Sequence, residues 1–243
     1  MALVKILQPL FDKLRWENNP PKMSIYASAL GSCPRRFALE KTVTGSTFGF
    51  EQKRIFDIGN DFGNRYAEYL DMAGVQLGAE IDVHDPSRGV RGRLDSLIKI
   101  DGEEIVVEFK TAAASSYNTI IKSPKKNHKL QCAYYMQQRK VTNGIIAYII
   151  KEGHVERDGE EKLKFPMIEH QIKMTPKLSA EVDTAIARLR SALDMLVNDG
   201  EITNDVDKSE CSFCSFNQEC PFSYMNSDNR PTSLSALFKA PKE

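Results

Sequence analysis

No uninterrupted apolar run in this sequence is long enough to cross a bilayer as a helix, so nothing in it points to an integral membrane protein. The opening residues, MALVKILQPLFDKLRWE, lack the continuous apolar stretch and cleavage site of a signal peptide and read as an amphipathic helix. The expected location is therefore intracellular, with no membrane partner. Charge of one sign is also missing: 33 Lys and Arg stand against 33 Asp and Glu. Overall basicity cannot recruit a nucleic acid here, and any such surface must be local. Cysteine is scarce, and five is an odd number for a secreted disulfide scaffold. No internal repeat is visible, which excludes a solenoid or propeller.

What remains is enough chain, 243 residues, for one generous core or one domain with an appendage. Residues 2–17 are a predicted helix closed by Asn18-Asn19-Pro20-Pro21, and Ser24 caps a short segment leading to Gly31. Phe37–Lys41 reads as helical and Gly45–Gly49 as a polar linker. From Glu51 to Ala73, apolar residues recur at helical spacing (Ile55, Phe56, Ile58, Phe62, Tyr66, Tyr69, Leu70) until Gly74 ends the run. A strand follows over 75–83, then a hairpin, a helix through 131–135, strands over 144–150 and 161–173, and an amphipathic helix over 176–197. After Gly200 the pattern dissolves into a cysteine-rich end and a polar tail. Strands interleaved with helices predict an α/β fold with a mixed central sheet.

The hairpin carries the first chemical signal. In RGRLDSLIKIDGEEIVVEFK, from Arg91 to Lys110, two apolar runs flank Asp101-Gly102, a two-residue turn signal. Alternation along a strand points Glu108 and Lys110 to one face, with Phe109 behind them. Asp95, on the preceding strand, would complete a patch of two carboxylates and an ammonium. Val106-Val107 and the residues around Asp95 read as strand buried on both faces, where a carboxylate is costly unless paired or metal-bound. Hydrolytic phosphodiester chemistry uses this set: carboxylate oxygens hold a hard divalent cation, the cation acidifies a water, and the lysine steadies the charge that develops.

Cysteine supplies the second signal. Cys211, Cys214 and Cys220 fall within ten residues of one another, Cys220 precedes Pro221, and Cys33-Pro34 stands alone near the start. Three close thiols hold three corners of a metal site and a distant fourth completes it. This split of one plus three fits an iron–sulfur cluster better than zinc, whose sites pair two short knuckles; zinc on the same four thiolates is the rival. Cys132, beside Tyr134, reads as a packed core thiol. Lys122, Lys125, Lys126, His128 and Lys129 cluster at a helix start, where cations oppose the helix dipole and a phosphate would compensate them.

Asp95, then Glu108-x-Lys110, then Gln131-x3-Tyr135, bracketed by Cys33 and Cys211/Cys214/Cys220, resembles the RecB-type branch of the PD-(D/E)xK nucleases. More narrowly, the set resembles the iron–sulfur exonucleases related to the CRISPR-associated RecB-like nuclease and the AddB nuclease domain, phage-encoded relatives included. The resemblance implies a restriction-endonuclease-like core, a mixed sheet flanked by helices, its ends tied by the four-cysteine cluster. It divides the chain into an N-terminal helical segment (1–30), a nuclease domain (31–224) and a flexible tail (225–243). Asp95, Glu108 and the Phe109 carbonyl would bind magnesium or manganese, Lys110 would be the catalytic lysine, and Gln131 and Tyr135 would lie beside the site and help hold DNA. Cys33, Cys211, Cys214 and Cys220 would hold a [4Fe–4S] cluster. The implied activity is a metal-dependent exonuclease acting on DNA ends or single strands in recombination, repair or processing. Its setting would be the cytoplasm of a bacterial, archaeal or phage-infected cell.

One position departs from the pattern. The relatives carry Gly-x3-His on the helix before the sheet, the histidine binding metal, whereas here Gly63 follows Gly59. Either Glu68 or Asp61 substitutes as a ligand, or the metal site is weaker, or the chain is a DNA-binding or scaffolding module that keeps the fold without catalysis. Glu80 sits where relatives often have an acidic strand residue. Arg35, Arg36, Arg91, Arg93, Lys125, Lys126 and Lys129 are candidates for phosphate contacts, and Tyr117 or Tyr134 for stacking on an unpaired base, with a place in the core as the equal alternative. Within the tail, Ser233-Leu234-Ser235-Ala236-Leu237-Phe238 resembles the Leu-x-Leu-Phe peptides that replication proteins insert into a sliding clamp; a segment docking on its own domain is the other reading.

Overall fold

The hairpin expected around Asp101-Gly102 lies at the heart of the sheet in a computed structural model, which describes residues 23–42, 50–151, 155–157, 160–163, 167–218 and 220–223. The expected helix over 2–17, the linker 45–49 and the tail with its clamp-like segment 233–238 lie outside the described residues. In chain order the strands are β1 (Ile25–Tyr26), β2 (Gln76–Asp85), β3 (Val90–Ile100), β4 (Glu103–Ala112), β5 (Asn143–Ile150), β6 (Val155–Arg157), β7 (Glu160–Leu163) and β8 (Met167–Lys173). The helices are α1 (Pro34–Thr42), α2 (Phe50–Met72), α3 (Tyr117–Ile120), α4 (Lys126–Arg139) and α5 (Pro176–Asp199). By backbone contacts the chain forms two compact units, one of Tyr26–Gly31 and Gln52–Ala185, the other holding the rest.

The first unit is built on a mixed sheet of order β1-β3-β4-β5-β8, with β2 also paired to β3. Asp101 and Gly102 both take positive φ, 51° and 86°, as a tight primed turn between antiparallel strands demands. β4 and β5 run parallel, from Ile105↔Asn143 to Ala112↔Ile150, and α4 supplies the crossover that parallel neighbours need. β5 is covered on both faces, which is why Ile146 to Ile150 read as one unbroken apolar run.

Helices cover the sheet on opposite sides. Gly144, in register with Val106 and so on the Glu108 face, sits so close to α4 that a Cβ there would stand 2.7 Å from Met136 Sδ and 2.8 Å from Cys132 Sγ. On the alternate face, Phe109 and Thr111 meet α2: the Tyr66 and Phe109 rings lie 5.6 Å apart, and Gly59 faces Thr111. Leu130 to Met136 are all buried, as Cys132 was expected to be.

The single strand expected over 161–173 is corrected. β6 and β7 form a separate two-stranded sheet and β8 alone joins the main one. The dipeptide Asp158-Gly159 is a hairpin signal and Pro166 has no N–H to give a ladder, so the period-2 reading ran across two breaks.

In the second unit, α1 buries Phe37, Ala38 and Leu39, and the end of α5 buries Ile186, Leu189, Ala192 and Leu193. Here Arg35 is 5% exposed. Its guanidinium donates to the carbonyls of Ile202 and Thr203 and lies over the Phe222 ring. Arg35 is therefore no DNA contact but a buried clamp for the chain after α5; its charge is satisfied by carbonyls that the sequence could not foretell.

Candidate active site

Asp95 and Glu108 face each other across the point where the β3–β4 ladder stops. The last paired residues are Ser96 and Val107, one step before the two acids. Beyond that step the Phe109 N–H would go unpaired, and it donates to Asp95 Oδ2 at 2.8 Å. The ladder ends here, and the Asp95 side chain replaces the lost ladder bond. On β4, Lys110 Nζ donates to Glu108 Oε2 at 2.8 Å, as alternation predicts for residues two apart.

Burial makes these charges matter. Glu108 is completely buried, and its second oxygen, Oε1, has no hydrogen-bond partner among the described residues. Burial first, and then the nearby Asp95 charge, push the Glu108 carboxyl up to about 8 against the pull of Lys110. Burial also raises the Asp95 carboxyl, opposed by the Lys110 ammonium and the Phe109 N–H. For Lys110, burial disfavours the charge, but the two carboxylates outweigh it and its pKa ends above the ordinary value. The patch keeps its lysine charged, while two carboxyls compete for too little positive charge.

Such a donor set fits a hard divalent cation: two adjacent carboxyl groups, one with an orphaned buried oxygen, where a cation would relieve both the repulsion and the missing bond. Among the described residues no group of three or more His, Cys, Asp or Glu is gathered closely enough to cage a metal ion. Magnesium needs no such cage, being commonly held by one or two carboxylates together with substrate phosphate oxygens.

α4 supplies the next layer. Gln131 and Tyr135, one turn apart, are both buried, with the Tyr135 hydroxyl near the Gln131 side chain and the Arg93 backbone. At the helix start the Lys125 N–H donates to the Tyr148 hydroxyl, which in turn lies 2.8 Å from His128 Nδ1. Burial, with Lys110 and Lys125 nearby, drives the His128 pKa down to about 3, so the ring is neutral and shares a hydrogen bond with the Tyr148 hydroxyl. Tyr148 is the register partner of Lys110. This His128–Tyr148 pair was not legible, because Tyr148 sits in an apolar strand that reads as core.

Other candidates fall differently. Glu68 is exposed and pairs with Arg65 at 3.4 Å, so the structure leaves it outside the site. Glu80 comes nearer: it bonds Arg93 at 2.6 Å and feels the Asp95 charge, from a backbone held at φ 51°. Arg93 is thus exposed but engaged, and Arg91 stacks on Tyr26 and donates to its hydroxyl. Lys125 and Lys126 are exposed and Lys129 half-buried at the start of α4. Tyr117 and Tyr134, offered as stacking platforms, are buried in the core and are corrected to packing residues. Gly63 faces Phe109, with nothing closer than 4.0 Å to where its Cβ would stand.

In the second unit, Cys33, Cys211, Cys214 and Cys220 line one concavity and none forms a disulfide. Successive turns, Cys214 N to Cys211 O and Cys220 N to Phe216 O, wind the chain about it. Cys33 Sγ accepts the Asp207 N–H at 3.3 Å. Burial raises the Cys214 thiol, with Cys33 and Cys220 adding to the rise and Arg36 opposing it. Arg36 lines the same concavity and pairs with Glu40 at 2.9 Å and Glu210 at 3.6 Å. Its charge is therefore committed within the fold, a correction to its reading as a phosphate contact.

A family model for the PD-(D/E)XK nuclease superfamily matches residues 62–221. Among solved structures, the crystallised protein SSO0001 is similar over 91% of this chain and 97% of its own, at 19% identity and a TM-score of 0.50. A phage-related exonuclease from Haemophilus somnus 129PT is similar over 73% of this chain and 96% of its own, at 12% identity and a TM-score of 0.50. An alkaline exonuclease from Laribacter hongkongensis follows at 14% identity, 73% and 93% coverage and a TM-score of 0.49. No curated protein matches the sequence.

Proposed function

Because this chain belongs to the PD-(D/E)XK nuclease superfamily, we propose that it is a magnesium- or manganese-dependent deoxyribonuclease, acting as an exonuclease on DNA ends or single strands during recombination, repair or DNA processing. The observation that carries this reading is the buried Glu108, with one oxygen bonded to Lys110, the other without a hydrogen-bond partner among the described residues, and the Asp95 charge close by. Asp95, Glu108 and the Phe109 carbonyl would hold the cation. Bound there, the cation supplies Lewis-acid charge and acidifies an attacking water. Lys110, held charged, stabilises negative charge as it develops on the phosphate. Gln131 and Tyr135 wall the site, and Lys125, Lys126, Lys129 and Arg93 offer positive charge to the strand. The fold shared with a crystallised phage-related exonuclease supports the exonuclease over other nuclease modes.

We further propose that Cys33, Cys211, Cys214 and Cys220 hold a [4Fe–4S] cluster. Four free thiols around one concavity, with Arg36 opposite them, support it. Brown colour with iron and sulfide, lost in Cys214→Ser, is the expected result; stoichiometric zinc in a colourless protein would replace the cluster with the zinc alternative.

The test of function is incubation of anaerobically purified protein with end-labelled single- and double-stranded DNA, with manganese or with chelator. Metal-dependent release of label, absent in Lys110→Ala, is expected. A second reading, a DNA-binding module without catalysis, is favoured by Gly63 standing where relatives carry a histidine ligand; tight binding with no cleavage under any metal would establish it instead.

A further inference from the structure

Three consecutive residues of β3, Arg91-Gly92-Arg93, lie just before Asp95. Each is engaged in a different way. Arg91 stacks on Tyr26, which opens the segment Tyr26–Gly31. That segment carries Ala27, which is fully buried, and Gly31, whose φ of 87° brings it against Leu130 and Asn127 of α4. Arg93 offers its backbone to the Tyr135 hydroxyl and its side chain to Glu80.

Between them Gly92 has no side chain, and the space where one would begin is taken. A Cβ at this position would stand 2.4 Å from the Tyr135 hydroxyl oxygen, 2.8 Å from Ala27 Cβ and 3.0 Å from Tyr135 Cε1. Contacts below 3 Å cannot be borne, so something must shift. Gly92 is extended backbone and owes nothing to a positive φ; its requirement is steric and lies in Tyr135. Tyr135 is almost wholly buried and cannot swing into solvent. Movement of its ring would disturb its approach to Gln131 and the Arg93 backbone. It would also shift the ring relative to Glu108 and Asp95, whose charges act on its hydroxyl.

We propose that Gly92 is a positioning residue: the missing side chain is a socket for the Tyr135 hydroxyl, and it sets the place of Tyr135 near Asp95 and Glu108. A side chain at 92 displaces Tyr135 and slows the site even where the fold survives. The kinetic part of this inference rests on the nuclease reading; the steric part does not.

The experiment is a double-substitution cycle in an Ala27→Gly background, which removes the second close contact and leaves Tyr135 as the only one. Gly92→Ala, Tyr135→Phe and the pair together are compared for melting temperature, for manganese-dependent DNA cleavage with kcat and KM separated, and by NMR of metal-free protein labelled at the tyrosine Cζ carbons. The Tyr135 signal is identified by its loss in Tyr135→Phe. Expected are a shifted Tyr135 signal in Gly92→Ala and a fall in kcat on the order of 10²-fold, the scale of a 1 Å misplacement. Adding Gly92→Ala to Tyr135→Phe should cost little more. A Tyr135 signal unmoved in folded Gly92→Ala, or losses that simply multiply in the pair, would overturn the proposal. Should Gly92→Ala not fold alone, recovery of folding in the pair supports it and failure to recover overturns it. If the unsubstituted protein cleaves no DNA, the nuclease reading fails and the Tyr135 signal still decides the role of Gly92.

Discussion

Asp95 accepts the backbone N–H of Phe109 at 2.8 Å, one step past the end of the β3–β4 ladder. The bond joins the two halves of the candidate site. It anchors one carboxylate to the strand that carries the other, and it keeps the end of the ladder from leaving a buried N–H unpaired. Asp95, Glu108 and Lys110 thus meet where the β3–β4 ladder ends, on regular strand and with no loop inserted.

Lys110→Met should retain most of the side-chain volume and abolish the ion pair. We expect cleavage to fall by about 10²- to 10³-fold, the usual loss for one preorganised charge stabiliser. Single-turnover rates at saturating manganese measure it, and an unchanged rate would remove Lys110 from the site.

Metal-free protein should lose stability as pH rises. The folded Glu108 carboxyl lies at about 8 against an ordinary 4.5, so its contribution is complete below about 4.5 and gone once the pH has passed about 8. Manganese should flatten the dependence, because binding displaces the proton. Melting temperature against pH, with and without manganese and in Glu108→Gln, checks this; Glu108→Gln should be flat without metal.

Asp85 has the opposite sign. Ser87 Oγ, Arg88 Nε and the Arg88 N–H all donate to it, and these bonds overcome its burial to hold the carboxyl at about 2. The contribution is present above the ordinary value of 3.8 and lost as pH falls through about 2. Asp85→Ala should cost about 2 kcal/mol at neutral pH by denaturant unfolding and less in strong acid. Through Arg88 it should also loosen Gln137 and Asp183, both of which bond the guanidinium.

Gly63→His tests the departure from the family pattern. No atom lies within ordinary contact of the added Cβ except Phe109 Cβ at 4.0 Å, so the variant should fold with a change of only a few tenths of a kcal/mol. If the imidazole reaches the carboxylates, half-saturation with manganese should fall about tenfold. Unchanged half-saturation in a folded variant would show that α2 at this position does not serve the metal.

The geometry of the candidate site was readable wherever it follows from local backbone geometry. Alternation alone puts Glu108 and Lys110 on one face, the Asp101-Gly102 turn brings Asp95 back opposite them, and a helical turn sets Gln131 beside Tyr135. These relations hold within about one element and need no knowledge of what packs outside it. What an arginine, an acid or a glycine does is a different matter, since it depends on segments far away in sequence. Arg35 looks like a surface cation until the carbonyls of Ile202 and Thr203 close over it, 167 and 168 residues on. Glu68 and Glu80 are equally acidic in sequence, yet α2 turns one to solvent and β2 brings the other to Arg93. Gly92 reads as an ordinary strand glycine, and only the packing of α4 against β3 fills its missing side chain with the hydroxyl of Tyr135.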